Sequence, residues 1–587
     1  MNTKLIKDPV HRYISVPKDY MKNIIDSCEF QRLRHIRQTS YESLYPSSNH
    51  NRFIHSLGVY FLGHKAFKAL KKNSKTLLKL TEEKWKQLEL TFELACLLHD
   101  VGHTPFSHDG EGFLLLAKEE DEFHIMKPVL GTGEKTEINV LYNDLLRTMS
   151  KILGREEFCT FREDFAYTVF GSINSDGSVS TASPHEIMSV IIALKTYKSF
   201  FEEKEVDIEL FARAILGIPW KKNDVADYAV RNVLVQMLNS SIIDVDRLDY
   251  IMRDTQMSGI DSISIDIERL LESITIFKSS DATYHLAYKK NALSTIENVV
   301  LAHDAERRWI QAHPVAIYDS YLVKQCLKAL NDSSRVEYSK WGIFQQNAFS
   351  IDGIMLENGM HIRLLSDGDC MFLIKQLKDG ADSFYVKEYL SRNMRKQPIW
   401  KSEAEFTLIL DQLTSSQQTS FLNLFGANSE KIGISSIGNI LNHNRIEELK
   451  ADIKRRNNDT ELRNEDIVNG NIILEKQLFW LEKIEAYCKK NEIKFDIYNH
   501  IEVKFQSKIN ELTNKGVMIW FDSLNKPKEI SKALNVYKTS EEEKRKNRQK
   551  QNKVIYWYVH KPDNFSLDKF VAFIKKTSDE YQKKFES

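Results

Sequence analysis

The chain has 587 residues, of which 42% are hydrophobic and 28% charged, with 82 basic and 82 acidic side chains. That length exceeds one compact core and implies roughly three or four domain-sized units, in a composition ordinary for soluble globular proteins. Zero formal net charge leaves no overall electrostatic case for a nucleic-acid coat or a membrane surface, only for local basic patches.

Cys28, Cys96, Cys159, Cys326, Cys370 and Cys488 are scattered and form no CxxC pair, which reads as reduced thiols in a cytoplasmic protein. The opening stretch MNTKLIKDPVHRY lacks the apolar run of a signal peptide. No window approaches the run of about 18 apolar residues that a membrane helix requires, so no membrane association is expected.

In chain order, residues 1–330 read as mostly helical. Phe53, Leu57 and Phe61, then Trp85, Leu88, Phe92 and Ala95, recur at helical spacing. Turn signals interrupt the pattern at Tyr45-Pro-Ser-Ser and at Gly102–Pro105. Gly131-Thr-Gly-Glu-Lys and Gly171–Pro184 read as surface loops, the second also as a lid. Alternation over Thr283–Tyr288 predicts a strand or hairpin, and long helices are expected from Ser294 to Asn331. Residues 350–450 look helical, Lys450–Asn469 looks like a boundary, and Lys494–Tyr498 and Val554–Val559 look like strands. The charge run Glu541–Lys553 reads as a solvated loop or helix face before a partner site. No internal repeat is present.

The chemistry starts at His99-Asp100. His99 lies four residues after Ala95 and continues the apolar face, so it is expected to point inward from a helix end. Burying an imidazole and a carboxylate without partners is costly, and a metal ion satisfies both. Alone the dipeptide is a weak signal. His55, at the start of one amphipathic helix, and Asp246, within another, complete a set of two imidazoles and two carboxylates. That set suits a divalent ion such as Mg, Mn, Fe, Ni or Zn, leaving positions for water and a phosphate oxygen.

Gly102 and Pro105 are expected to turn the chain back, returning His103, His108 and Glu111 to the site. His108 and Glu111 share a helical face, and a carboxylate-oriented histidine is a natural general acid or base. His185 begins a helix that Ser183 can cap, a position that favours an anion. Asp246, Tyr250 and Asp254 follow at i, i+4 and i+8 with Arg247 beside them. His35, His64 and His124 read as ordinary surface or core residues, and Cys96 as a small core residue.

Phe30-Gln-Arg-Leu-Arg-His-Ile-Arg-Gln38, Asn51-Arg-Phe-Ile-His55, His99–His108, Asp244–Tyr250 and Arg253-Asp254 together resemble the HD-domain deoxynucleoside triphosphate triphosphohydrolases. These include bacterial dGTPases and the animal dNTPase that also carries a SAM domain, of which no counterpart is visible here. The resemblance covers about residues 5–330 and implies a mostly α fold. Together with the element pattern it divides the chain into an HD-type phosphohydrolase core over 1–335, a helical extension over 336–450 and a mixed α+β region over 451–587, which matches the family weakly and is expected to be regulatory or oligomerising.

It further implies a metal held by His55, His99, Asp100 and Asp246, and phosphate contacts from Arg52 and Arg247. His108, Glu111 and His185 fall on the catalytic acid–base positions, and His103 on a position beside the α-phosphate. Gln38, Tyr250 and Asp254 fall on sugar-binding positions. The implied reaction releases deoxynucleoside and tripolyphosphate from a dNTP. The implied partners are the dNTP, an allosteric nucleotide and further copies of the chain, with single-stranded nucleic acid an alternative. One departure is local: Glu306–His313 contains no tyrosine, where relatives usually place one that stacks on the sugar, and Trp309 or Ile310 occupies the region. Two other readings share the site. One is a phosphodiesterase or nuclease acting on cyclic nucleotides or single-stranded ends. The other is a non-catalytic dNTP sensor, against which the complete metal and acid–base sets argue.

Overall fold

The computed structural model describes residues 3–585 except 40, 127–135, 172–181, 223, 241–242, 262, 281, 334–341, 378–382, 427–439, 459–463, 505–516, 523–525 and 531–552. Gly131–Lys135, most of Gly171–Pro184 and most of Glu541–Lys553 therefore lie outside the described residues. The fold is mostly helical, with small sheets, and divides into two units that interleave along the chain. One comprises Met1–Ile310, Val323–Ser383 and Gln506–Gln549; the other comprises Gln311–Leu322, Phe384–Phe505 and Lys550–Ser587.

The first unit opens with an antiparallel hairpin, β1 (Thr3–Asp8) and β2 (Arg12–Pro17), where helix was expected. Its alternation is real but one-sided: Ile14 and Val16 are buried while Leu5 and Tyr13 face solvent. The first long helix, α1 (Arg52–Leu78), begins where the Asn51 side chain accepts the Ile54 N–H. Next, α2 (Glu82–Leu98) is capped by Thr81 and carries Glu82 and Glu83 in its first turn, where the helix dipole favours negative charge. Trp85, Leu88, Phe92 and Ala95 are all buried, as their spacing predicts. Phe67 of α1 packs edge-on against Trp85 and alongside Phe92, which locks the two helices together.

After a tight turn comes the short α3 (His108–Leu114), and later α4 (Pro184–Thr196) and α5 (Val245–Ser258). A proline at the first position of α4 and the Asp244 cap on the Arg247 N–H set these last two starts. The expected strand near Tyr284 is β4 (Tyr284–Lys289), paired with β3 (Ile274–Lys278). Far along the chain, Met518–Phe521 adds to β4 in parallel, with Lys526–Glu529 outside it. Helix resumes at α6 (Leu293–Glu306) and, after a π-helical turn Arg307–Gln311, at Pro314–Ser333.

The second unit is an α+β body. A four-stranded sheet, in the order Ile440–Asn442, Asp496–Lys504, Lys553–Val559, Gln397–Pro398, packs with helices that include Asn464–Lys490 and Leu567–Phe585. Lys450–Asn469, expected as a boundary, instead contributes to two helices of this one unit, His443–Asn457 and Asn464–Lys490. The core is aromatic: Trp557 lies 6.0 Å from Trp400, 5.8 Å from Phe421 and 6.0 Å from Phe570, ring centre to ring centre. Trp557→Ala is expected to destabilise this unit by about 3–5 kcal/mol, the usual cost of removing a fully buried large aromatic. Chemical denaturation followed by tryptophan fluorescence measures it.

Candidate active site

Three helix ends converge. His55 sits one turn inside α1, His99 caps the C-terminal end of α2, and Asp246 lies in the first turn of α5. His55 Nε2 is 2.9 Å from Asp246 Oδ1, and His99 Nε2 is 3.6 Å from the same oxygen. Asp100 completes the group, its carboxylate 3.7 Å from His55 Nε2 and 3.6 Å from His99 Nε2.

Hydrogen bonds to the far nitrogens fix which atoms face inward. A carboxylate and a carbonyl can only accept, so His55 Nδ1–H donates to Asp249 Oδ2 at 2.7 Å and His99 Nδ1–H donates to the Cys96 carbonyl at 2.9 Å. Both Nε2 lone pairs are thereby left bare, and both atoms are buried without a hydrogen-bond partner. Two orphaned imidazole nitrogens beside two carboxylates fit a divalent metal, and His55, His99 and Asp246 are close enough to share one. Negative charge here favours a cation, whether proton or metal: burial disfavours a charged His55 ring, yet the Asp246 and Asp249 carboxylates lift its pKa to about 10. Burial would raise Asp246, but His55 and His99 hold it well below the usual carboxylate range.

Asp249 has no role in the sequence reading and is the site's main structural support. Its Oδ2 also accepts from Arg253 Nε at 2.8 Å, and its Oδ1 from Arg253 at 2.9 Å and His11 Nε2 at 2.6 Å. The helix α1 must carry glycine opposite it. A Cβ on Gly58 would stand 1.9 Å from Asp249 Oδ1 and 2.6 Å from the Arg253 guanidinium.

The turn after the dyad doubles back as expected, for a more specific reason than glycine freedom. The left-handed backbone falls on Phe106 (φ 57°) and Ser107 (φ 53°). Gly102 is needed for closeness: its Cβ would lie 2.3 Å from the Ser189 nitrogen of α4, and its own N–H donates to Ser189 Oγ at 2.9 Å. Asp367 accepts the Phe106 N–H, and Arg32 donates to the His103 carbonyl at 2.6 Å, so the turn is tied down from both sides.

This brings His103, His108, Glu111 and His185 into a second group. One oxygen, Glu111 Oε1, accepts from His108 Nδ1 at 2.6 Å and from His185 Nδ1 at 2.8 Å. Burial would raise Glu111, but the two imidazoles hold it well below its usual range. His185, against burial, is raised to about 9 by Glu111. His103 stacks on His185 at 4.2 Å and is fully buried with neither ring nitrogen bonded. Burial and the nearby Arg52 push its pKa well below the ordinary value, so it stays neutral. His185 Nε2 lies 3.9 Å from Asp100 Oδ1, so the two groups are contiguous.

Arg52 reaches Asp100 at 2.7 Å and Ser107 at 3.0 Å. Arg247 donates its Nε to Tyr250 Oη at 3.1 Å, which contacts His303 Nε2 at 3.1 Å; Arg247 also has a buried terminal nitrogen without a bond. Gln38 is buried, its amide oxygen unbonded. Asp254 is buried and accepts from His50 Nε2 at 2.8 Å, a partner that sequence spacing did not reveal. Trp309 is exposed and Ile310 buried. His64 is partly exposed and structurally paired: its Nδ1 meets Glu93 at 2.5 Å, and Tyr20 donates to the other Glu93 oxygen at 3.0 Å, which closes that cluster. A cleft lined by His99, His185, Glu186, Asn239, Asp246 and Arg247 opens onto both groups.

Residues 52–130 match the family described as HD domain. An uncharacterized protein of Methanocaldococcus jannaschii, MJ1154, is 26% identical over 333 residues, 56% of this chain and 51% of its own length. The deoxynucleoside triphosphate triphosphohydrolase SAMHD1 of Danio rerio is 38% identical over 141 residues, 24% of this chain and 22% of its own. The matched part thus spans about half the length of the first of these relatives. A solved phosphohydrolase of Bacteroides thetaiotaomicron shares the fold at 17% identity and TM-score 0.50, covering 95% of this chain and 100% of that one. The chain therefore carries an HD domain and is similar to the HD-domain deoxynucleoside triphosphate triphosphohydrolases. Among the described residues no helix is long and apolar enough to cross a membrane.

Asp249→Asn is expected to weaken divalent-metal binding by about 10–100-fold, because an amide can no longer dictate the His55 tautomer. Metal titration by calorimetry measures this, and unchanged affinity would remove Asp249 from the site.

Proposed function

We propose that the chain hydrolyses deoxynucleoside triphosphates at the α-phosphate, releasing deoxynucleoside and tripolyphosphate. The observation that carries this reading is the contiguity of the two groups: orphaned His55 and His99 nitrogens with Asp100 and Asp246 on one side, and the Glu111-linked histidines on the other. The motif resemblance and the relatives named for that reaction support the substrate class.

His55, His99, Asp100 and Asp246 would hold the metal. When bound, a divalent ion polarises the phosphoryl oxygen and lowers the pKa of water. The Arg52 guanidinium, already between Asp100 and Ser107, would steady the α-phosphate, and the buried nitrogen of Arg247 would neutralise the outer phosphates. Neutral His103 would donate to the same phosphate without competing for the proton. Water attacks phosphorus in line as the bond to the 5′-oxygen breaks. His185, or His108, both oriented by Glu111, gives the leaving oxygen its proton. Gln38, Tyr250 and Asp254 would meet the sugar, with His50 orienting Asp254.

Incubation with each dNTP and chromatography of the products tests the reading: tripolyphosphate is expected, and pyrophosphate, a nucleoside monophosphate or no turnover would overturn it. Asp246→Ala should abolish both bound metal and activity.

The pH profile follows from His185. Its pKa is raised to about 9, so the acid form is present below that value and lost above it. With His185 as the acid, kcat/KM is expected to fall as pH rises through about 9, and His185→Asn should remove that limb along with most of the rate, by about 10²–10⁴-fold.

A further inference from the structure

The support beneath the metal group does not end at Asp249. It continues to the N-terminal hairpin, which precedes α1 and contributes none of the residues assigned a metal-holding, substrate-binding or catalytic role above. His11, in the hairpin turn, donates Nε2–H to Asp249 Oδ1 at 2.6 Å. Asp8, at the end of β1, accepts from Arg253 Nη1 at 2.8 Å, and Arg253 in turn holds both Asp249 oxygens. The other Asp8 oxygen accepts the Val10 N–H at 2.9 Å and the His11 N–H at 2.7 Å, so one carboxylate both anchors Arg253 and shapes the turn that presents His11. Gln256 of α5 donates to the Pro9 carbonyl at 3.1 Å, and the His11 ring lies 5.1 Å from that of Phe61 on α1.

Each link is buried where it matters: the side chains of Asp249 and Arg253 are fully buried and those of Asp8 and His11 nearly so. Burying this many charged groups is costly unless their geometry is complete. A two-stranded hairpin is marginal by itself; buried Ile14 and Val16 hold its second strand against the body, and these bonds fix the turn that carries His11. In return, Asp249 gains one of its partners from outside its own helix. Arg253 lies on α5 and moves with Asp249, whereas His11 alone ties Asp249 Oδ1 to a separate element.

We propose that Asp8 and His11 are positioning residues for the metal site, and that hairpin docking and metal affinity are coupled through Asp249 and His55. This rests on the metal reading above. Coupling of this kind is reciprocal: a docked hairpin tightens the metal, and metal steadies the hairpin.

The test is manganese(II) titration of the full chain by calorimetry, with metal-free melting curves recorded for every variant. His11→Ala should bind one ion at the same site with about tenfold weaker affinity, the scale expected when an outer partner of a metal-binding histidine is lost. His11→Gln, which keeps an N–H donor, should recover most of it, a rescue that general loss of packing would not give. Reciprocally, manganese should slow hydrogen exchange at the Val10 and His11 amides in wild type, and do so less in Asp249→Asn. Equal affinity in wild type and His11→Ala, or exchange that ignores the metal, overturns the coupling. Wild type that binds no ion sensitive to Asp246→Ala overturns the metal reading itself, and the coupling with it.

Discussion

Everything at the site hangs on a hydrogen bond 2.7 Å long between His55 Nδ1 and Asp249. An imidazole offers a metal only the nitrogen that carries no proton, and which one that is depends on what the other nitrogen does. Asp249 is fully buried, and burial alone would make its carboxyl harder to ionise. Arg253, His11 and His55 reverse that and hold it well below the usual range. It is therefore a permanent acceptor, and His55 a permanent donor toward it. The missing side chain at Gly58 leaves the space that Asp249 and Arg253 occupy.

The two halves of the site use the same device with opposite outcomes. On the metal side each imidazole has its own acceptor, Asp249 for His55 and the Cys96 carbonyl for His99, so both inner nitrogens stay bare. On the other side one Glu111 oxygen serves both His108 and His185. A single anion shared by two rings stabilises one added proton well and two poorly, since the second cation repels the first. Stacked on His185 and edge-on to His108, His103 is kept neutral by burial. The arrangement separates a region that attracts a cation from one that stores a proton, within a few ångströms.

Much of this was legible in the chain. Helical spacing from Trp85 to Ala95 placed His99 on an inward face, and the His108/Glu111 and Asp246/Tyr250/Asp254 spacings each proved to lie on one helix. What spacing could not show was division of labour on a shared face. Asp246 and Asp249 are three residues apart on α5, and nothing local says which faces the ligand and which braces His55 from behind. Supports from distant segments were equally silent: His11 from a hairpin, His50 against Asp254, Asp367 beneath the Phe106 turn. The same holds for the fold. The parallel pairing of Met518–Phe521 with β4 joins strands more than two hundred residues apart, and local pattern records no such partnership.

The contact of Gly102 with α4 has one further consequence. The helix that presents His185 is the helix whose Ser189, four residues on, grips the N–H of the residue two beyond Asp100. Four residues of α-helix advance about 6 Å. The interval between the dyad and the acid is thus gauged by a single turn of rigid backbone rather than by two independently placed loops. The site carries its own ruler, and Gly102 is where the ruler is read.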